Sequence, residues 1–206
     1  MNLRPRLLVL LPVCVAAGFL VGRVFWKPPQ VPAGQPAPPT PEQPLAAALT
    51  TVPDLRLPDL ASATPRSLRE WSDKALIINF WATWCAPCRK EMPLLEQVHQ
   101  QWRDRGVAVV GVAIDRLEPV QSFVGEAGIS YPILVGEQEA MGLAESFAPD
   151  LPGLPLTVLA APGGEILQRH VGEIHAEELD QIVTVLGELA AGRIQPAEAR
   201  ARLATD

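Results

Sequence analysis

The pattern of apolar and polar residues divides the chain into three parts. Residues 7–26 form an apolar run in which Arg23 is the one charged side chain. Residues 27–53 contain almost no bulky apolar side chains. From Asp54 onward, short apolar runs alternate with segments in which apolar residues recur every three or four positions. This organisation predicts a membrane segment, a spacer and one globular domain.

The third part predicts alternating strands and helices. Continuous apolar runs bounded by Gly, Pro or polar residues are typical of buried strands, and apolar residues at helical spacing are typical of amphipathic helices. The predicted strands cover residues 75–81, 107–114, 131–135, 156–160 and 165–170. The predicted helices cover residues 85–105, 118–127, 137–147 and 175–190. Strand–helix–strand units followed by a hairpin and a helix predict an α/β fold with a central mixed β-sheet and helices on both faces.

Residues 7–26 have the length and flanks of a transmembrane helix. Twenty residues make about 30 Å of helix at about 1.5 Å per residue, which matches the hydrocarbon core of a bilayer. Arg4 and Arg6 precede the run, which predicts that the N-terminus stays inside and the rest of the chain lies outside. A cleaved signal peptide and a lipoprotein with its lipid on Cys14 are the alternatives. The domain is exported in every case.

Composition supports the division. Nine of the 22 prolines lie in residues 27–53, which predicts an extended, semi-rigid linker. The predicted domains are therefore an anchor or signal over 1–26, a linker over 27–53, a globular domain over 54–190, and a tail over 191–206 that contains a short helix. The net charge of −6 is the wrong sign for a protein that binds nucleic acid through its phosphates.

The residues that carry chemistry are two of the three cysteines, Cys85 and Cys88. A disulfide across two intervening residues closes too short a loop to serve as a structural staple. The pair follows a predicted buried strand and opens a predicted helix, the setting of a redox-active C-x-x-C. Backbone N–H groups and the helix dipole there stabilise a thiolate. We expect Cys85 to be the exposed attacking nucleophile and Cys88 the more buried resolving thiol, with Pro87 tolerated in the first turn.

Other uses of a C-x-x-C pair fit the sequence poorly. A zinc site needs two more ligands nearby, and His99 lies eleven residues beyond Cys88 on the same predicted helix. His170 and His175 are expected at the surface, so no metal site is predicted. Covalent haem attachment needs a histidine directly after the second cysteine, and Arg89 stands there.

The residues around the pair resemble a known family. Residues 79–93 (NFWATWCAPCRKEMP) look like the TlpA/ResA branch of the thioredoxin superfamily, and residues 153–158 (GLPLTV) are similar to its Gly-x-Pro-x-Thr segment. The similarity extends over about 54–189. It implies a thioredoxin-like fold with an N-terminal transmembrane helix. It also implies disulfide reductase activity with no cofactor other than the Cys85–Cys88 disulfide.

The resemblance assigns a binding role to residues around the cysteines. Pro155 matches the family's cis-proline, which holds substrate backbone, and Leu154 would flank the sulfur atoms. Trp84, Ala86 and Pro87 complete the implied substrate-binding set. From the residues alone, the alternative is that Pro155 is a turn proline that enters a strand.

The same resemblance bears on proton transfer. Asn79 stands where thioredoxin carries a buried acid. Glu91, one turn after Cys88 on the same helix face, is the family-matched candidate to exchange a proton with the resolving thiol. The alternative is a solvated helix glutamate beside Lys90. Pro93 is expected to bend this helix.

The predicted function is thiol–disulfide exchange that reduces disulfides of exported proteins. The resemblance implies a single-pass protein of the bacterial inner membrane with its catalytic domain in the periplasm, recharged by a membrane electron conduit of the DsbD or CcdA kind. The alternative is a partner-specific assembly factor or binding module for cytochrome c or copper-protein maturation. Trp81 and Trp84 could then form a docking surface, or they could simply frame the motif.

Overall fold

Two apolar strands form the centre of the main sheet. The computed structural model of the chain describes residues 48–204. Within them, Ala75–Trp81 (β3) and Val107–Ile114 (β4) are buried at every residue and pair in parallel, from Ala75 opposite Val107 to Trp81 opposite Ala113. Successive side chains of a strand point to opposite faces, so strands buried throughout must be covered on both faces.

The remaining elements complete a mixed five-stranded sheet. The other strands are β1 (Arg56–Pro58), β2 (Pro65–Ser67), β5 (Ile133–Gly136), β6 (Leu156–Ala160) and β7 (Ile166–Val171). The helices are α1 (Ala86–Trp102), α2 (Leu117–Ala127), α3 (Gln138–Phe147), α4 (Ala176–Ala190) and α5 (Pro196–Leu203), with a 3₁₀ turn at Leu68–Trp71. The strand order is β5-β4-β3-β6-β7, and β1 and β2 form a separate antiparallel pair. β5, β4 and β3 run parallel to one another. β6 runs antiparallel to its neighbour β3, and β7 runs antiparallel to its neighbour β6.

The sheet separates two hydrophobic cores. Ile77 and Trp81 of β3 face one core, to which α1, α2, α4 and α5 contribute. Ile78 and Phe80 face the other, which is closed by α3 and by the β1–β2 pair. The predicted α/β fold with helices on both faces is thereby confirmed.

The predicted elements are all present, and none of their ends moves by more than three residues. Gly128 has a φ of +65° and ends α2 in the left-handed conformation, as expected of a glycine after a helix. Pro93 lies within α1, which continues on both sides of it. The expected bend at Pro93 stays a prediction.

The described part of the chain begins before the predicted domain boundary. Val52 is 1% exposed, and its N–H donates to the Gly164 carbonyl at 2.8 Å. The Leu49 N–H donates to Ser146 at 3.0 Å. The last residues of the expected linker over 27–53 therefore pack on the domain, because backbone groups of α3 and of the turn before β7 offer partners that composition does not reveal.

The C-terminal boundary also shifts. The tail expected over 191–206 contains α5, whose Ala199 and Leu203 are 0% and 5% exposed in the core shared with α4 and β7. This helix belongs to the domain. Its small apolar stripe was too short to distinguish a packed helix from a tail.

Both edges of the main sheet are partly covered. At the β5 edge, Asp59 bridges Leu134, and the Leu60 N–H donates to Ile133 at 2.8 Å. At the β7 edge, the Ile166 N–H donates to Thr50 at 2.9 Å, and the Ile166 carbonyl accepts from the Arg200 side chain.

The predicted membrane segment over 7–26 lies outside the described residues. Among residues 48–204, no helix has both the length and the apolar character needed to cross a membrane.

Candidate active site

The cysteine pair lies between the end of β3 and the first turn of α1. Cys85 is the N-cap residue of α1, and its Sγ accepts a hydrogen bond from the Cys88 N–H at 3.3 Å. Cys85 and Cys88 form a disulfide with their Cα atoms 5.3 Å apart. Ala86 and Pro87 occupy the first helical turn, where the missing N–H of proline leaves no intrahelical bond unmade. The N-terminal N–H groups and dipole of α1 therefore favour negative charge on the Cys85 sulfur.

Both cysteines are buried. Cys85 is 5% exposed and Cys88 is 0% exposed, and both belong to the core beneath α1. The expectation of an exposed Cys85 is therefore wrong for this oxidised form, because Cys85 packs into the core together with Cys88, although Cys88 is the more buried of the two as expected.

The Leu154–Pro155 peptide bond is cis, as the sequence resemblance implied. Pro155 is buried directly before β6, and its carbonyl accepts from the Gly172 N–H at 2.9 Å. Leu154 is partly buried and packs against both cores. This loop is fixed at the junction of β6 and the end of β7.

A buried polar network lies within the core beneath α1. The Asn79 Nδ2 donates to Glu91 Oε1 at 2.7 Å and to Thr157 Oγ1 at 3.1 Å. The Ile174 N–H donates to Glu91 Oε2 at 2.9 Å. Asn79 and Thr157 are directly opposite across β3 and β6, and Glu91 is 1% exposed. The alternative of a solvated glutamate is therefore wrong.

Burial raises the pKa of Glu91 to about 7. The hydrogen bonds from Ile174 and Asn79 act in the opposite direction, and the carboxylates of Glu173 and Glu178 add to the rise. A carboxyl group in this condition can hold or release a proton near neutral pH.

Comparison with known proteins identifies the family. Residues 47–186 match the Redoxin family. The chain belongs to the Redoxin family. It is 32% identical to the thiol-disulfide oxidoreductase ResA of Halalkalibacterium halodurans, over 58% of this chain and 66% of that protein, slightly under two thirds of its length. It is 31% identical to ResA of Geobacillus kaustophilus, over 68% of this chain and 78% of that protein.

Solved structures agree with this membership. A thiol:disulfide interchange protein of the thioredoxin family from Chlorobium tepidum is 29% identical with a TM-score of 0.60, over 67% of this chain and 96% of that one. A secreted thiol-disulfide isomerase from Corynebacterium glutamicum has a TM-score of 0.61 over 68% of this chain and 85% of that one; at 23% identity it shows the fold alone. With its C-x-x-C disulfide and its ResA relatives, this redoxin is a thiol–disulfide oxidoreductase.

The two tryptophans of the redoxin motif have opposite environments. Trp81 is 0% exposed and packs 5.5 Å from the ring of Phe123, so it belongs to the core and to no docking surface. Trp84 is 68% exposed directly before Cys85. It is the largest exposed apolar side chain in the described part of this redoxin and lies next to the Cys85–Cys88 disulfide in sequence.

Asp115 fixes the loop that carries Trp84, and the sequence reasoning missed it. Its Oδ2 accepts from the Thr83 Oγ1 at 2.5 Å and from the Thr83 N–H at 3.1 Å. Burial acts to raise the pKa of Asp115, but the hydrogen bonds from Thr83 and the Arg116 N–H outweigh it and lower the pKa. The available signal was an acid directly after β4, because the carboxyl ends of the parallel strands β3 and β4 meet at one edge.

The histidines of the redoxin domain lie in separate places. His99 packs against the ring of Tyr131, and His170 Nδ1 lies 2.9 Å from the Glu178 carboxylate. The His175 side chain is 72% exposed. Within residues 48–204, no three His, Cys, Asp or Glu side chains are grouped in a way that could hold a metal ion.

Proposed function

We propose that this redoxin is a membrane-anchored reductase of disulfides in exported proteins. The observation that carries the proposal is the position of Cys85 as the N-cap of α1, where its sulfur accepts the Cys88 N–H above a fully buried Cys88. An N-cap thiolate with a resolving thiol one turn below is the arrangement that dithiol–disulfide exchange requires.

The reaction starts from the reduced chain. The Cys85 thiolate attacks one sulfur of a substrate disulfide, forms a mixed disulfide and releases the other substrate sulfur as a thiolate, which takes up a proton. Cys88 then loses its proton and attacks the Cys85 sulfur. The Cys85–Cys88 disulfide forms, and the second substrate thiolate leaves. Two electrons pass to the substrate, and the chain ends in the oxidised form that the structure shows.

Glu91 is proposed to take the proton of Cys88. It lies one turn after Cys88 on α1, and its pKa of about 7 lies near the ordinary thiol value of about 8.5. Proton transfer between groups of similar pKa is efficient at neutral pH. Asn79 and the Ile174 N–H hold the two carboxyl oxygens and thereby fix the orientation of Glu91.

Substrate binding is proposed for the surface around the disulfide. Leu154 and Pro155 would receive the extended backbone of the substrate, and Trp84, Ala86 and Pro87 would contact its side chains. The support is their placement on the loop before α1, in its first turn and at the start of β6.

Anchoring, location and recharging belong to the same proposal. The apolar run over 7–26 with Arg4 and Arg6 before it supports a single-pass anchor in the bacterial inner membrane and a periplasmic domain. The proposed partners are exported proteins with disulfides and a membrane electron conduit of the DsbD or CcdA kind. No cofactor beyond the Cys85–Cys88 disulfide is proposed.

One observation favours a second candidate, a partner-specific assembly factor for cytochrome c or copper-protein maturation. Trp84 is exposed beside the reactive sulfur, and aromatic side chains are enriched where proteins bind a defined partner. The two candidates share the exchange chemistry and differ in the range of substrates.

The direction of exchange is tested by the reduction potential. The domain is equilibrated in thiol buffers, and Trp fluorescence reports the fraction reduced. A value below about −230 mV supports a reductant, and a value above about −150 mV marks an oxidant and overturns the proposed direction. Absence of a reversible two-electron couple would leave only a binding role.

The roles of the cysteines are tested by substitution. Cys85→Ser should abolish exchange, because no accessible thiolate remains to attack. Cys88→Ser should accumulate a mixed disulfide through Cys85, since no thiol resolves it. Non-reducing gel electrophoresis and mass spectrometry identify the species. If the Cys88→Ser variant traps no substrate and Cys85→Ser does, the assigned roles are reversed.

A further inference from the structure

A surface groove begins at Trp84, the residue directly before Cys85, and continues toward α3. Its volume is about 440 Å³. One end is formed by Trp84, which directly precedes Cys85, and the floor includes the partly buried Met141. The charged residues along it come from the end of β4 and from α3. We call it the acidic groove; its defining residues are Trp84, Asp115, Arg116, Glu137, Met141 and Glu145.

The acidic groove is held rigidly to the active-site loop. Asp115 accepts both the N–H and the Oγ1 hydrogen of Thr83, which lies between β3 and Trp84. Ile114, the last residue of β4, lines the groove and pairs with Gly136 of β5, and α3 follows β5 after one residue. A side chain bound in the groove would therefore lie at a fixed distance from the Cys85 sulfur.

Charge distinguishes this groove from an ordinary apolar cleft. It contains three carboxylates and one guanidinium group. Glu137 and Glu145 are exposed and form no ion pair with any residue of the described range 48–204. Their negative charge is therefore available to a partner.

The exposed Trp84 ring adds a second contact that, like the carboxylates, favours a positively charged side chain. The face of an indole ring attracts lysine and arginine side chains, whereas it offers nothing to a carboxylate. The apolar stems of lysine and arginine can also lie along Met141 while their charged ends reach the carboxylates. Ring, apolar floor and carboxylates together fit a long cationic side chain.

We propose that the acidic groove binds a lysine- or arginine-bearing segment of the polypeptide substrate, next to the cysteine that Cys85 attacks. The inference rests on the proposed function, because it specifies which disulfides of exported proteins are reduced fastest. The groove selects by charge, and the disulfide supplies the chemistry. Attraction between the groove and a basic segment raises the rate of productive encounter.

The experiment compares three synthetic peptides with one disulfide each. They are identical except for one flanking position, which is Lys, Gln or Glu. Hydroxyethyl disulfide serves as a small neutral substrate. The reduced full-length chain in a neutral detergent is mixed with each compound at low salt and at 0.5 M NaCl, and Trp fluorescence gives the second-order rate constant.

The Lys peptide should react about fivefold faster than the Glu peptide at low salt, and high salt should remove most of the difference. In the double variant Glu137→Gln/Glu145→Gln, the rate constant for the Lys peptide should fall by about the same factor. The same variant should react with hydroxyethyl disulfide at the wild-type rate. The control variant Glu126→Gln/Asp180→Asn removes two exposed charges elsewhere, on α2 and α4, and should leave the order of the peptides unchanged.

Each other outcome has a defined meaning. Equal rates for the Lys and Glu peptides overturn the inference, and so does an equal loss in the groove and control variants. A Gln peptide that reacts fastest shows that the groove favours an uncharged side chain, and this result also overturns the inference. If no disulfide is reduced, hydroxyethyl disulfide included, the proposed function itself fails, which separates the two failures.

Discussion

The clearest quantitative prediction concerns Glu91 and the pH dependence of folding. Burial raises the pKa of Glu91 from 4.5 to about 7. The folded state therefore binds this proton more tightly than the unfolded state. Its advantage is complete below pH 4.5 and is lost as the pH rises through about 7. At about 1.4 kcal/mol per pKa unit, the loss amounts to about 3 kcal/mol in the free energy of unfolding.

Glu91→Gln isolates this contribution because glutamine does not titrate. The variant also loses a good acceptor for the Asn79 Nδ2 or the Ile174 N–H, which costs about 1–3 kcal/mol at every pH. Only the pH-dependent part of the difference reports the titration. As the pH rises from 4.5 to 8, the free energy of unfolding of the variant should thus increase by about 3 kcal/mol relative to that of the wild type.

The assay is urea unfolding of the oxidised fragment 47–206 at five pH values across that range. Glu126→Gln, an exposed glutamate on α2, is the matched control and should follow the wild type at every pH. If the Glu91→Gln and wild-type curves stay parallel within about 0.5 kcal/mol, Glu91 does not titrate in this range. The proposed proton transfer from Cys88 then loses its basis.

Two further predictions concern packing. Gly187→Ala should lower the free energy of unfolding by about 1–3 kcal/mol, because the added Cβ would overlap the Trp102 ring. Gly125→Ala has no atom within 4 Å of its Cβ position and should raise the free energy of unfolding by up to about 1 kcal/mol. Equal effects of the two substitutions in urea unfolding would contradict this packing. A fragment that starts at Asp54 should be about 3 kcal/mol less stable than the fragment 47–206, because it lacks the buried Val52 and the backbone hydrogen bonds of Leu49, Thr50 and Val52. Equal urea midpoints for the two fragments would show that Val52 contributes nothing.

Local pattern was sufficient for the central sheet and for the reactive pair. Ala75–Trp81 and Val107–Ile114 are apolar at nearly every residue, and such runs have few stable alternatives to a doubly covered strand. Cys85 and Cys88 could be located because the strand, the turn and the helix that position them are contiguous in sequence. Chemistry that depends on one contiguous segment can be read before any tertiary contact is known.

Contacts between distant segments could not be read in this way. The helix face shared by Cys88 and Glu91 was predictable, but the N–H that fixes Glu91 comes from Ile174, 83 residues away. Packing of Val52 depends on a carbonyl at Gly164, and no periodicity in a proline-rich segment indicates it. Such pairings follow from the order of strands in the sheet, which local sequence does not determine.

The partly covered sheet edges have a consequence for the proposed reduction of disulfides in exported proteins. An open edge strand offers unpaired N–H and C=O groups to any extended polypeptide, and a substrate with an unformed fold is such a polypeptide. Here the Leu60 N–H donates a hydrogen bond to the Ile133 carbonyl at one edge. At the other edge, the Ile166 N–H donates to the Thr50 carbonyl, and the Ile166 carbonyl accepts from the Arg200 side chain. At these positions a captured chain finds no free backbone group with which to begin a further strand, which favours a transient contact made through Cys85 alone.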